Sequence, residues 1–203
     1  MTKDYYYTLK SNSESFFKEK GSKFYTYAFH VKSEDDIKAR LEEIRKKHYD
    51  ARHHCYAYYL GQKQEISRAN DDGEPSNSAG KPILGQLQAF DLTYSLVIVV
   101  RYFGGTKLGV GGLIQAYKEG AKLALEVAEI EEKTIDIPYV VHFGYPEMNT
   151  VMRFLKDLPV TDIKQDFMET CKLYFSIREG ESAKAEEKFT NLKNITLENL
   201  NEE

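Results

Sequence analysis

Alternating apolar and polar positions, rich in tyrosine and phenylalanine, predict short strands in the first half of the chain. These strands are expected over Tyr5–Leu9, residues 15–18, residues 23–31 and His53–Leu60. Residues 94–103 are mostly apolar and β-branched, which predicts a strand buried on both faces. The N-terminal half should therefore fold around a sheet.

Apolar residues at intervals of three and four predict helices between these strands. The first begins at Ser33, a capping hydroxyl that is followed by a turn of acidic residues. Two more are expected, one ending near Phe90 and one over residues 113–130. A polar loop over residues 67–81 precedes the former, and a glycine-rich loop over residues 104–112 precedes the latter.

The C-terminal part predicts a βαββαβ order, which is typical of a ferredoxin-like domain. Its expected elements are a strand over residues 134–143, a helix over 146–158, strands over Val160–Phe167 and 170–177, a helix over 182–192 and a strand over 195–200. Residues 131–133 are interpreted as a linker. The sequence thus predicts an α+β protein with two domains, residues 1–132 and 133–203.

The net charge differs between the two predicted domains. The formal net charge is -4. Residues 1–132 hold equal numbers of acidic and basic side chains, so the excess acid lies in residues 133–203. A protein that binds nucleic acid mainly by electrostatics would be basic, so only the N-terminal part is a credible anion binder.

Two features bear on the cellular compartment. No stretch approaches the roughly 18–20 apolar residues that span a bilayer, and the first residues form no secretion signal. Cys55 and Cys171 match no CxxC pattern, which excludes a disulfide framework and fits a reducing cytosol. We therefore expect a cytoplasmic protein with no membrane partner.

The glycine-rich motif joins a predicted strand to a predicted helix. Glycine lets a ligand approach the backbone closely, and unpaired N–H groups at a helix start suit a phosphate. The motif matches neither Walker A nor GxGxxG, so a tight turn that only packs is an equal alternative. Its candidate anion-binding residues are Arg101, Gly104, Gly105, Lys107, Gly109, Gly111 and Gly112.

The polar loop carries three carboxylates, those of Asp71, Asp72 and Glu74. Such groups repel one another unless they are solvated, paired or bound to metal. Mg²⁺ is the cofactor that these oxygens could hold, although the EF-hand spacing is absent. We favour the structural alternative, in which Asp71 or Asp72 pairs with Arg68 or Arg101.

A histidine–tyrosine row lies on the strand His53–Leu60. His53 and His54 should point to opposite faces, so they should not share one metal ion. His54, Tyr56 and Tyr58 share a face, which could stack bases if it is open and would be core if a helix covers it. Catalysis by Cys55 with a histidine would need a cleft that the pattern does not indicate.

Five separated blocks resemble the IMPACT/YigZ family in their order along the chain. The blocks are residues 51–57, 71–75, 79–84, 99–105 and 108–113. The C-terminal third resembles the extra domain of the family's bacterial two-domain members, the YigZ/YvyE type. Asn77-Ser78 departs from the usual Gly-Thr of the family, and Gln115 stands where arginine is frequent.

The resemblance implies a ribosomal-protein-like βαβ fold for residues 1–132. It implies a ferredoxin-like domain similar to the last domain of elongation factor G for residues 133–203. It also implies a link to translation control and the starvation response, with RNA, ribosome-associated factors or another protein as partners.

Three functions stay open at this stage. The favoured one is a non-catalytic, translation-linked regulator that contacts nucleic acid or the translation machinery through its N-terminal domain. The second is a hydrolase or transferase that acts on a phosphorylated or peptide-like substrate with the loop carboxylates and His54. The third is a protein-binding regulator that docks through the acidic C-terminal domain. The favoured function predicts one composite surface, made of the glycine motif, the acidic loop and five further residues. These five are Arg52, His53, His54, Arg68 and Lys81.

Overall fold

The computed structural model describes residues 3–167, 170–190 and 192–201, which form two compact units. The N-terminal unit comprises residues 6–133. The C-terminal unit comprises the described residues from 134 onward together with residues 3–5. Helices and strands are mixed in both units, which confirms the predicted α+β class.

The N-terminal unit contains seven strands and three helices among its described residues. The strands are β1 (Tyr5–Leu9), β2 (Ser13–Glu19), β3 (Ser22–His30), β4 (His53–Leu60), β5 (Ile66–Asn70), β6 (Ser95–Tyr102) and β7 (Ile130–Thr134). The helices are α1 (Glu34–Lys47), α2 (Gly80–Ala89) and α3 (Gly109–Glu126). Strands β1 and β7 pair as a two-stranded sheet, and the other five form an antiparallel sheet in the order β2-β3-β6-β4-β5.

The five-stranded sheet is covered on both faces because its central strands alternate two sets of apolar side chains. On one face, α1 packs Ile37, Leu41 and Ile44 against the sheet. On the other face, α2 and α3 pack against the opposite set, which includes Val97 and Val99 of β6. The result is a three-layer arrangement with β6 buried at its centre, as its apolar sequence predicts.

The C-terminal unit has the predicted ferredoxin-like order. Its elements are β8 (Asp136–Phe143), α4 (Met148–Lys156), β9 (Val160–Phe167), β10 (Cys171–Arg178), α5 (Ser182–Thr190) and β11 (Ile195–Asn199), with short 3₁₀ turns at Tyr145–Glu147 and Glu179–Glu181. The antiparallel strand order is β11-β8-β10-β9. Both helices contribute to one core, in which Val151 and Leu155 of α4 meet Ala185 and Phe189 of α5.

Three local predictions are wrong. Residues 67–70 form part of β5 rather than a loop, since an edge strand needs no apolar alternation when both faces are partly open. Helix α3 begins at Gly109, four residues early, because a first helical turn tolerates glycine where an interior turn would not. Residues 131–133 lie in β7 and are not a linker.

No helix among the described residues is both long and apolar enough to cross a bilayer.

Candidate functional site

The first carboxylate of the acidic loop, Asp71, caps helix α2. Its Oδ1 accepts hydrogen bonds from the backbone N–H groups of Ala79 at 3.0 Å and Gly80 at 2.8 Å, and its Oδ2 accepts one from Asn77 at 2.8 Å. The N-cap residue Ala79 has no side-chain oxygen to offer. Asp71 therefore satisfies donors that the helix start would leave unpaired.

The third carboxylate, Glu74, forms a buried ion pair with Arg101. Arg101 donates from a guanidinium nitrogen to Glu74 Oε1 at 2.8 Å, and the two side chains are 7% and 4% exposed. The Tyr117 hydroxyl donates to the same oxygen at 2.7 Å, and burial raises the pKa of Tyr117. Arg101 also reaches Ser22 Oγ at 3.4 Å. The loop is thus tied to both β6 and α3.

The second carboxylate, Asp72, holds the start of β4. Its Oδ2 accepts from the His54 backbone N–H at 2.7 Å, and its Oδ1 lies 3.8 Å from an Arg45 guanidinium nitrogen. The His54 ring donates through Nε2 to the His48 carbonyl at 3.1 Å, and burial lowers the pKa of His54. His53 donates through Nδ1 to the Asp72 carbonyl at 3.0 Å.

These three carboxylates point to different partners, so they do not form a cation site together. No group of three or more histidine, cysteine or acidic residues able to hold a metal ion occurs among the described residues. Glu74, rather than Asp71 or Asp72, pairs with Arg101, and Arg68 pairs with none of them. This arrangement agrees with the structural alternative for the loop but with different partners from those predicted.

The histidine–tyrosine row of β4 is core. His54, Tyr56 and Tyr58 are all buried, because they lie on the face that α1 covers. Cys55, on the opposite face, is fully buried and donates from Sγ to the Asp71 carbonyl at 2.9 Å. Burial raises its pKa, which disfavours the thiolate that a nucleophile needs. The row therefore offers no open face for base stacking.

A cleft of about 410 Å³ lies where β4 begins and β6 ends. We call it the Phe103 cleft, and its lining is Asp50, Ala51, Arg52, His53, Arg101, Tyr102 and Phe103. The Phe103 ring is 57% exposed, and the Arg101 guanidinium lies 5.7 Å from its centroid. Arg52 is exposed and forms no ion pair with another residue that the structure describes. The cleft thus brings predicted residues 52, 53 and 101 together.

The glycine motif divides into a packed half and an open half. Gly104 lies against the backbone of Gly21 and Ser22, where a β-carbon would overlap both residues, and its N–H donates to Ser22 Oγ at 3.2 Å. Gly109 and Gly111 have open space where a β-carbon would stand. Helix α3 has no side-chain cap and no acidic residue in its first turn. Only the open half could admit an anion.

The remaining predicted residues do not join the cleft lining. Gly105, Lys107 and Gly112 belong to the loop and first turn just beyond Phe103. Arg68 lies on the edge strand β5 opposite Tyr58, and Lys81 is exposed in the first turn of α2. Of the residues predicted to form one composite surface, the cleft therefore brings together Arg52, His53 and Arg101.

The predicted surface spans residues 101–112 and so contains Phe103, but without a role for its ring, and Asp50 was missed. Phe103 follows the last residue of a buried strand, where an aromatic side chain can leave the core. Its position at the end of the strand was the sequence feature that could have indicated an exposed ring. Asp50 belongs to the connection after α1, and no sequence feature marked it as a cleft residue.

Comparisons with known proteins give consistent matches. The Impact N-terminal domain model matches residues 20–125. An IMPACT family member of Haemophilus influenzae is 35% identical over 162 residues, which cover 79% of each chain. IMPACT family member YigZ of Escherichia coli is 35% identical over 73% of this chain and 74% of its own. A crystal structure of a hypothetical protein aligns with a TM-score of 0.71 at 28% identity, over 99% of this chain and 100% of that one.

Proposed function

The chain belongs to the IMPACT family, and from that premise we propose that its N-terminal unit contacts RNA through the Phe103 cleft, in a role linked to translation control. The partners of this proposal are single-stranded RNA or the RNA of ribosome-associated assemblies. The family resemblance supports the link to translation, and the cleft supports the kind of contact.

The observation that carries the proposal is the exposed Phe103 ring in a cleft that Arg52 also lines. Single-stranded RNA is recognised largely by stacking its bases on aromatic side chains and by pairing its phosphates with cations. Phe103 offers a ring face to solvent, and Arg52 offers a charge that no described residue neutralises. The buried Arg101 is held by Glu74, so it shapes the cleft rather than meeting the ligand.

The open half of the glycine motif continues the same surface along the chain. Lys107 is exposed four residues after Phe103 and has no ion pair with a described residue. The uncapped start of α3 follows at once, with backbone N–H groups that suit a phosphate. A local basic path can therefore exist on a unit whose overall charge is balanced.

The test is a binding titration of a fluorescently labelled single-stranded RNA, repeated at several salt concentrations. Phe103→Leu should weaken binding by roughly fivefold or more, since base stacking contributes about 1–3 kcal/mol per base. Arg52→Ala should reduce the slope of log affinity against log salt by about 1. Both residues are at the surface, so both variants should keep the fold.

The control variants remove an aromatic ring and a positive charge outside the cleft. Tyr145→Leu removes a ring that is 60% exposed, and Lys118→Ala removes an exposed ammonium group of α3. Neither should change the affinity more than twofold. Equal loss in Phe103→Leu and Tyr145→Leu, or a salt slope of zero in the unmodified protein, would show that the cleft does not bind RNA.

A further inference from the structure

A second, larger concavity opens at the C-terminal end of α1. Helix α1 ends at Lys47, and the sheet face that it covers continues past this end. The uncovered part forms a recess of about 590 Å³, within the usual range of small-molecule sites. We call it the Phe16 recess, and its walls come from β2, β3, the end of β6 and the residues that follow α1.

The walls of the recess are aromatic. Phe16 and Tyr25 are cross-strand partners whose ring centroids are 4.7 Å apart, and Phe16 is 48% exposed. The Tyr102 ring meets Tyr25 nearly edge-on at 5.8 Å. The His48 ring centroid lies 5.1 Å from that of Tyr25. Aromatic rings with an open side are the surface on which another planar ring stacks.

Four lining residues of the recess form one directed chain of hydrogen bonds. Tyr102 donates to Asp50 Oδ1 at 2.9 Å, so its oxygen accepts from His48 Nδ1 at 3.0 Å. A neutral His48 then accepts at Nε2 from the Tyr27 hydroxyl at 2.8 Å. Burial lowers the pKa of His48, which favours this neutral form. Because the two hydroxyls and the imidazole satisfy one another, this wall of the recess presents mainly ring faces.

Two lysines and two acids line the recess. Lys47 lies 3.7 Å from Glu14, and the exposed Asp50 accepts a hydrogen bond from the neutral Tyr102 hydroxyl, which leaves the carboxylate charge in place. The Lys23 side chain is exposed, and its ammonium group has no ion pair or hydrogen bond with another described residue. Lys18 stands directly opposite it on β2, and like charges at such a position destabilise a sheet unless an anion offsets them. The part of the rim at Lys18 and Lys23, rather than the part at Asp50, therefore suits a negatively charged group.

We infer that the Phe16 recess binds a nucleotide, with the base stacked on Phe16 and Tyr25 and the phosphate paired with Lys23. A planar ring that carries an anion is the chemistry that matches both the rings and the unpaired ammonium. The ligand is either a free nucleotide or one residue of an RNA strand. The inference does not rest on the Phe103 cleft, although the two sites share Asp50 and Tyr102 at their boundary.

The experiment is isothermal titration calorimetry of the full chain with adenosine monophosphate, uridine monophosphate, adenosine and a short single-stranded RNA. Phe16→Leu should weaken binding by about fivefold or more, through lost base stacking. Lys23→Ala should weaken the monophosphates and leave adenosine unchanged. Both side chains are exposed, and circular dichroism should confirm that both variants fold.

Tyr145→Leu and Lys46→Ala are the matched controls, because they remove an exposed ring and an exposed ammonium group outside both the recess and the Phe103 cleft. Saturable monophosphate binding that Phe16→Leu weakens and Tyr145→Leu does not supports a free nucleotide. Binding of the RNA alone, weakened by Phe16→Leu, supports a strand. If Phe16→Leu and Lys23→Ala change no titration, the inference is overturned. Insensitivity of RNA binding to Phe103→Leu refutes only the cleft.

Discussion

Removing one partner of the buried Glu74–Arg101 pair should destabilise the N-terminal unit strongly. Glu74→Leu leaves the guanidinium of Arg101 without its anion in a site where the side chain is 7% exposed. It also leaves the Tyr117 hydroxyl without its acceptor. Charges and donors of this kind cannot turn to water without opening the loop from β6.

The magnitude follows from these contacts. Breaking a buried ion pair on one side costs about 3–5 kcal/mol, because the remaining charge stays buried and uncompensated. Replacing both partners by apolar residues of similar size is often close to neutral. Glu74→Leu should therefore cost about 3–5 kcal/mol, whereas Glu74→Leu combined with Arg101→Met should cost less than either single change implies.

Urea unfolding followed by far-ultraviolet circular dichroism measures these free energies for the four members of the cycle. Hydrogen exchange of peptides from β6 and from the loop 71–78 locates the change. Glu42→Leu, at an exposed position of α1, is the control for loss of a carboxylate and should cost less than about 0.5 kcal/mol. Additive single and double effects, or a Glu74→Leu cost near that of the control, would refute the account of the pair.

Three further outcomes are expected from urea unfolding. Asp71→Ala should lower the free energy of unfolding by about 1–2 kcal/mol and Asp71→Asn by less, since the amide keeps one acceptor for the α2 amides; equal losses would contradict the capping role. Gly104→Ala should lower the free energy of unfolding by more than about 2 kcal/mol, because the new methyl group would overlap the backbone of Gly21 and Ser22. Gly111→Ala should raise it by up to about 1 kcal/mol, because the methyl group would enter open space; the reverse order would contradict the packing. Burial lowers the pKa values of His48 and His54 in the folded protein, so the unfolded chain binds protons at a higher pH and the free energy of unfolding should fall as the pH drops below about 6.5. A constant or rising free energy of unfolding from about pH 7.5 down to 5.5 would contradict this linkage.

Much of the fold follows from periodicity in the sequence. The two-residue alternation in β3 and β4 and the apolar run of β6 place side chains on both faces of one sheet. The βαββαβ order of the last third specifies the ferredoxin-like unit for the same reason. Strand β5 escaped prediction because a half-exposed edge strand lacks this alternation.

The site was harder to predict, because spacing along a chain does not reveal direction across it. Asp71 and Glu74 are three residues apart, yet one caps α2 and the other pairs with Arg101. Whether His54 met solvent depended on where α1 crosses the sheet, which the strand pattern leaves open. The Phe16 recess exists because that helix ends early, so its length rather than the strand sequence creates the cavity.

The contact between Gly104 and the Gly21–Ser22 backbone has a mechanical consequence. Two main-chain segments touch with no side chain between them, so neither can be displaced by a change of rotamer. The β2–β3 turn, which ends beside Lys23, is in this way braced against the loop that follows Phe103. A displacement of the turn toward the loop would therefore have to move the loop backbone as well.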